Sequence, residues 1–202
     1  PNAGNLGGGG FMVARLANGQ TITLDYREKA PLLAHRDMYL DQNGEVMQGK
    51  SVNGHLSSGV PGTVAGLFES ARYAKFSFKK LIQPAIDLAE KGFVITAREA
   101  TSLNSIQDEL NEYNTRPSVF QKKQAWKVGD TLTQHDLANT LKRIRDKGIK
   151  GFYEGKTAQL IVDEMKRGGG MITLEDLKNY KAKWRAPHQF SYKGYTIIGM
   201  AM

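Results

Sequence analysis

Apolar and polar residues alternate at both ends of this chain, and between those ends apolar residues recur every three to four positions. Near the N-terminus, Phe11-Met12-Val13-Ala14-Arg15-Leu16 runs into Asn18-Gly19, a strong hairpin signal. Thr21-Ile22-Thr23-Leu24-Asp25-Tyr26 follows, and its alternation predicts a half-buried strand. Residues 11–26 therefore read as a hairpin, with Arg27 where the second strand ends. Residues 37–41 read as a short strand closed by Asn43-Gly44, and residues 45–62 as a loop rich in Ser, Gly and Asn. Val64, Leu67, Phe68 and Ala71 then fall at helical spacing, with Thr63 placed as an N-cap. Pro84 suits the first turn of a helix burying Ala85, Ile86 and Ala89, with Gly92 past its end. A more polar helix is predicted over 97–112. Leu137, Leu141 and Ile144 form the next stripe, opened by Thr131 or Thr133. Ala158, Ile161, Val162 and Met165 form another, ended by Gly168-Gly169-Gly170. Thr173-Leu174-Glu175-Asp176 is a capping-box pattern opening a short helix through Tyr180. Residues 190–192 and 195–199 read as two strands about a Lys193-Gly194 turn. Strands at both ends and helices over about 63–180 make an α+β chain whose terminal strands are candidates to share one sheet.

Composition narrows the picture only in places. The 202 residues suffice for one domain or a large piece of one, and residues 1–202 read as a single partial domain. The chain opens inside a glycine-rich element and stops inside a strand, as expected of a piece trimmed from a longer protein. Pro1-Asn2-Ala3-Gly4 is neither basic nor apolar and does not read as a signal peptide. No apolar run reaches the length of a transmembrane helix. The absence of cysteine excludes disulfides, Cys-ligated metals and a Cys nucleophile. A net charge of +8 admits a polyanion as partner. The basic residues, however, are short pairs such as Lys79-Lys80 and Lys122-Lys123 scattered between apolar helix positions, without basic-aromatic interleaving. A basic binding module is thus the second-ranked functional class, and solvated helix faces the plainer reading.

Several motifs invite chemistry. Gly44-Glu45-Val46-Met47-Gln48-Gly49-Lys50-Ser51 satisfies the phosphate-loop pattern, yet Val52-Asn53-Gly54-His55 has no helical period and Glu45 carries negative charge into the would-be anion nest. It reads as a loop. His35, His55, His135 and His188 lack metal-ligand spacing, and no metal or cofactor is expected. His55, near Ser57-Ser58-Gly59, reads either as a plain polar loop residue or as a histidine that approaches a site. No Gly-x-Ser-x-Gly elbow is present. Gly7-Gly8-Gly9-Gly10 reads as close backbone packing, since no Lys or Ser/Thr follows to meet a phosphate. Arg27 stands out. It reads either as a salt-bridge partner of Asp25 or Glu28, or as a planar fork for a ligand carboxylate.

Four blocks in order resemble the large-subunit region of the γ-glutamyltranspeptidase family. They are the stretch from Pro1 to Met12 with Asp25-Tyr26-Arg27-Glu28-Lys29-Ala30-Pro31, then Ser58-Gly59-Val60-Pro61-Gly62-Thr63-Val64-Ala65-Gly66, Gln83-Pro84-Ala85-Ile86-Asp87-Leu88-Ala89, and Gly169-Gly170-Met171-Ile172-Thr173-Leu174-Glu175-Asp176-Leu177. The resemblance covers nearly the whole chain. It implies part of an N-terminal-nucleophile hydrolase αββα sandwich, lacking the nucleophile-bearing small subunit that self-cleavage of one precursor releases. It implies acyl transfer from the γ-glutamyl amide of glutathione and related compounds, through a Thr acyl-enzyme, to water or an amino acid. Arg27 would hold the α-carboxylate, no catalytic residue would lie in this chain, and the chain alone would be inactive. Relatives that transfer a polyglutamate capsule or acylate cephalosporin-type compounds share the scaffold and stay open as alternatives. The resemblance further implies a small-subunit partner, no nucleic acid, no membrane span, and a periplasmic or secreted location.

Overall fold

The computed structural model describes residues 5–200. The elements run β1 (Phe11–Arg15), β2 (Thr21–Asp25), α1 (Thr63–Ser70), α2 (Phe78–Lys91), β3 (Phe93–Val94), α3 (Ala97–Ser105) and α4 (Gln107–Tyr113). They continue with β4 (Thr131–Leu132), α5 (His135–Lys147), α6 (Lys150–Tyr153), α7 (Gly155–Gly168), α8 (Leu174–Asn179), β5 (Lys183–Arg185), β6 (His188–Tyr192) and β7 (Tyr195–Gly199). Helices thus fill the middle of the chain and strands its ends, an α+β arrangement.

β2 is the centre of an antiparallel sheet ordered β1-β2-β5, with Asp25 opposite both Phe11 and Lys183. Its Thr21-Ile22-Thr23-Leu24-Asp25 buries both faces at its middle, and Leu24 and Thr23 are fully enclosed. The Thr23 hydroxyl donates to the Arg185 carbonyl at 2.7 Å, so burying this polar side chain leaves no orphan. The closing strands expected at 190–192 and 195–199 do not join the N-terminal sheet; the strand that does is β5, which the sequence does not signal. Pro187 has no N–H to continue the ladder, and β6 and β7 form their own two-stranded ribbon. Its turn is the one expected: Lys193 and Gly194 both take positive φ (46° and 80°), as a two-residue hairpin turn requires.

The helices meet on one main core, in which Val64 of α1, Ile144 of α5, Phe152 of α6, Ala158 of α7 and Leu177 of α8 converge. The apolar spacing over 158–165 corresponds to α7, which stops where Gly169 turns left-handed (φ 74°). The capping box at Thr173 and Asp176 is present with both reciprocal bonds, and α8 ends one residue before Tyr180. Gly92, at φ 80°, closes α2.

Five local expectations need correction. Residues 37–41 are turns with one isolated bridge, Leu40 to Val46, because the Asp41 carboxylate takes the Asn43 and Glu45 N–H groups that a ladder would have used. Thr63 is the first residue of α1 and Gly62 its N-cap; the Gly8 carbonyl accepts from both Gly62 and Thr63 N–H, at 2.8 and 3.0 Å. Pro84 is interior to α2, which begins earlier behind the Ser77 cap. Pro84 and Ala85 lie on the exposed face, where water can satisfy the carbonyl freed by the missing N–H. Residues 97–112 are two helices broken at Ile106. Thr131 belongs to β4 opposite Val94, so neither it nor Thr133 caps α5, whose N-cap is Gln134.

Candidate functional site

Arg27 is the first residue past the β1-β2-β5 sheet, and its main chain is tied down on several sides. The Tyr26 N–H and carbonyl pair with Gly10 at 3.0 and 3.2 Å, the last rung beyond β1. The Arg27 N–H donates to Asp25 Oδ1 at 3.0 Å, and the Arg27 carbonyl accepts from Tyr180 Oη at 2.7 Å. Two residues on, Lys29 and Val60 exchange both backbone hydrogen bonds, joining the Arg27 segment to the loop before α1.

The glycines make this packing feasible. A Cβ on Gly9 would lie 2.5 Å from the Tyr26 carbonyl and 2.8 Å from the Glu28 nitrogen. On Gly66 of α1, a Cβ would sit 2.6 Å from both Tyr26 Cδ atoms and closer still to Cγ. The Tyr26 ring therefore rests directly on helix backbone, which only glycine permits. The packing reading of the glycine run is the one observed: its carbonyls and amides meet Tyr26, Gly62 and Thr63.

The Arg27 side chain opens into a cleft of about 410 Å³ lined by Gly7, residues 27–30 and residues 57–59. Its Nε donates to Glu28 Oε2 at 3.1 Å, and the guanidinium carbon lies 5.5 Å from the centre of the Phe11 ring. Among the described residues the two terminal guanidinium nitrogens donate no hydrogen bond, and the side chain is 60% exposed. The Glu28 bridge exists, yet half of the fork stays open toward the cleft. Asp25 pairs instead with Arg185 at 2.8 Å. Its carboxyl is held below the usual range: burial pushes it up, and the Arg27 N–H and the Arg185 guanidinium outweigh that.

His55 is not in this cleft, although Ser57, Ser58 and Gly59 are. Its Nε2 meets Glu164 Oε1 at 2.8 Å, and its ring packs so closely on Gly168 that a Cβ there would overlap it. Glu164 also accepts from Thr115 Oγ1 at 2.6 Å and from Arg167. Burial raises the Glu164 carboxyl, but hydrogen bonds from Thr115, His55 and Arg167 prevail and hold it near 2. The cluster fastens the loop before α1 to the end of α7. The phosphate-loop look-alike runs through turns into a three-residue 3₁₀ turn at His55–Ser57, with no helix N-terminus to face an anion. Among the described residues no group of three His, Cys, Asp or Glu side chains is placed to hold a metal ion. Many basic side chains are spent in ion pairs, such as Lys122 with Asp130 and Arg145 with Asp146.

Sequence reasoning missed Tyr26, Tyr153, Tyr180 and Asp176. The first three carry no spacing signal. Asp176 was legible as a cap, but its second role was not: Oδ1 accepts from the Leu32 N–H at 2.7 Å, pinning the segment after Arg27 to α8.

The chain as a whole matches known proteins closely. The family model described as gamma-glutamyltranspeptidase matches residues 1–202. The chain belongs to the gamma-glutamyltranspeptidase family. It is 45% identical over 201 residues to a glutathione hydrolase proenzyme of Pseudomonas sp. (strain A14), covering 98% of this chain and 35% of that protein. The solved gamma-glutamyltranspeptidase of Helicobacter pylori superposes with a TM-score of 0.94 at 47% identity, over 98% of this chain and 58% of that one. A gamma-glutamyltranspeptidase from Pseudomonas nitroreducens, complexed with L-DON, superposes at 0.88 and 41% identity, over 100% of this chain and 59% of that one. The chain spans about a third of the length of the curated relatives it matches. Its fold is accordingly part of the N-terminal-nucleophile hydrolase architecture that these enzymes share.

Proposed function

We propose that this chain is a scaffold and α-carboxylate-binding part of a γ-glutamyl acyltransferase and hydrolase, acting on glutathione and related γ-glutamyl compounds. The observation that carries the reading is the Arg27 fork, half engaged by Glu28 and half open at the cleft, on a chain belonging to this family. A planar guanidinium binds a carboxylate through two parallel hydrogen bonds, which fixes orientation as well as charge. With the α-carboxylate held there, the γ-amide extends away toward the nucleophile.

That nucleophile is a Thr freed at a new N-terminus when the precursor cuts itself, and the Thr amine serves as its base. The Thr oxygen bonds to the γ-carbonyl carbon, an oxyanion hole stabilises the tetrahedral adduct, and the C–N bond breaks as the amine leaves with a proton. Water or an amino-acid amine then displaces the Thr oxygen. The small subunit of the same precursor supplies the nucleophile, and this chain alone is inactive. The ribbon of β6 and β7, with Phe190, Tyr192 and Tyr195 exposed, suits burial against that partner, because an isolated two-stranded hairpin is marginal in water. The protein works in the periplasm or outside the cell, as inferred for bacterial members of the family. Among the described residues no helix is long and apolar enough to cross a membrane.

The test is Arg27→Ala in the complete, matured enzyme with a chromogenic γ-glutamyl anilide. Loss of a charge-assisted pair that is equally present in ground and transition states raises KM by about thirtyfold, corresponding to ~2 kcal/mol, with kcat little changed. Arg27→Lys recovers little of this, since the fork is lost. An unchanged KM in Arg27→Ala removes Arg27 from the substrate site.

A further inference from the structure

We propose that Tyr180 is a positioning residue for the Arg27 fork, its hydroxyl clamping the Arg27 main chain so that the guanidinium is presented to a ligand carboxylate. The proposal rests on the carboxylate-binding role of Arg27 given above.

Both ladders of the sheet stop short of Arg27. The β1-β2 register ends at Phe11 opposite Asp25, extended only by the Gly10–Tyr26 rung, and the β2-β5 register ends at Lys183 opposite Asp25. From the sheet alone the Arg27 carbonyl has no partner. Tyr180, 153 residues away in sequence, supplies the missing donor: its hydroxyl reaches that carbonyl at 2.7 Å. A residue just after α8 thus stands in for the next strand of the ladder.

The clamp is itself rigid. Tyr180 is 5% exposed, and its ring lies parallel to that of Tyr153, at 3° and 5.7 Å between centroids. Tyr153 Oη in turn donates to the Pro61 carbonyl at 2.8 Å and accepts from the Ala65 N–H at 3.3 Å. One stacked pair therefore holds both cleft walls, Tyr180 the Arg27 side and Tyr153 the loop that carries Ser57 to Gly59. Gly62 leaves room for it, since a Cβ there would lie 2.7 Å from Tyr180 Cζ. Lys29 Nζ lies over the Tyr180 ring, 4.7 Å from its centroid. Burial, reinforced by the Asp25 and Glu28 charges, pushes the Tyr180 phenol up to about 12, so it keeps its proton and remains a donor at neutral pH.

Tyr180→Phe in the complete matured enzyme deletes one oxygen and keeps the ring, the stack and the burial. With γ-glutamyl p-nitroanilide as substrate, KM rises about five- to tenfold, the scale of one buried hydrogen bond, and kcat stays within about twofold. In an Arg27→Ala background the same change adds nothing, because the hydroxyl acts through Arg27. A hydroxyl that served stability alone lowers the unfolding midpoint and leaves KM in place. A second readout needs no turnover. L-Glutamate protects Arg27 from phenylglyoxal, followed by peptide mass spectrometry, and the half-protecting concentration rises by the same factor in Tyr180→Phe. An unchanged KM and protection in Tyr180→Phe, or an effect that persists in full without Arg27, overturns the proposal and leaves the Arg27 reading standing. An unchanged KM in Arg27→Ala alone brings down both.

Discussion

Replacing Gly66 with alanine sets helix propensity against packing, and the structure says which wins. Gly66 is the fourth residue of α1 and fully interior, so by propensity alone alanine stabilises the helix by about 1 kcal/mol. The new methyl, however, lands 2.6 Å from both Cδ atoms of Tyr26, where carbon–carbon contact needs about 3.5–4.0 Å. The ring is also close to strand backbone at Gly10, where a Cβ would come within 3.0 Å of it, so it touches glycine backbone on two elements. α1 must therefore back away by about 1 Å, or Tyr26 must leave its seat. Overpacking of this kind costs about 1–3 kcal/mol, and with the ring struck at three atoms the upper end applies. The net expectation is destabilisation by about 2 kcal/mol, together with a raised KM for γ-glutamyl anilide, since Tyr26 adjoins Arg27. Urea unfolding and steady-state kinetics of the matured enzyme measure both. A midpoint that rises with KM unchanged refutes the reasoning, because propensity then outweighs a contact that is not there.

Two further outcomes concern ends that are buried or ionised. Asp176→Ala removes the carboxylate that receives Thr173 N–H, Thr173 Oγ1 and Leu32 N–H within 2.7–2.8 Å, leaving two backbone donors unpaired. It is expected to cost about 2–3 kcal/mol by urea unfolding, and Asp176→Asn less; equal stability of Asp176→Ala and wild type contradicts the double role. Glu164 is held near 2 against an ordinary value of 4.5, so it contributes stability that is complete above about pH 4.5 and is lost as pH falls toward 2. Glu164→Gln is therefore less stable than wild type at pH 7, and the gap narrows between pH 5 and pH 3; a pH-independent gap counts against the Thr115, His55 and Arg167 network.

Elements whose signals are local were readable from the chain. Asn18-Gly19 and Lys193-Gly194 set two hairpin turns, Gly92 and Gly169 stop two helices with positive φ, and Thr173 with Asp176 opens a third. Each depends on residues within a few positions of one another, and so does the link between the end of β2 and Arg27. The family blocks spread between Pro1 and Leu177 made the fold class readable as well. What failed was settled at longer range. Pro84 is tolerated inside α2 because its face of the helix is exposed, and Gly62 replaces a side-chain cap because Gly8 brings a carbonyl to it. β5 joins β2 while β6 and β7 do not, a choice made at Pro187 and by the Thr23 and Asp25 contacts to Arg185. The same division runs through the site. The sequence alone determined that an arginine ends a strand beside glycines and acids, since strand, turn and charge are written within residues 7–28. Only the tertiary structure decided that Asp25 turns to Arg185, that Glu28 takes half the fork, and that Tyr180 holds the Arg27 carbonyl from 153 residues away. Hydrogen bonds and ring packing act over a few ångströms of space and leave no periodicity in the sequence, so a contact between distant residues becomes visible only once the chain is folded.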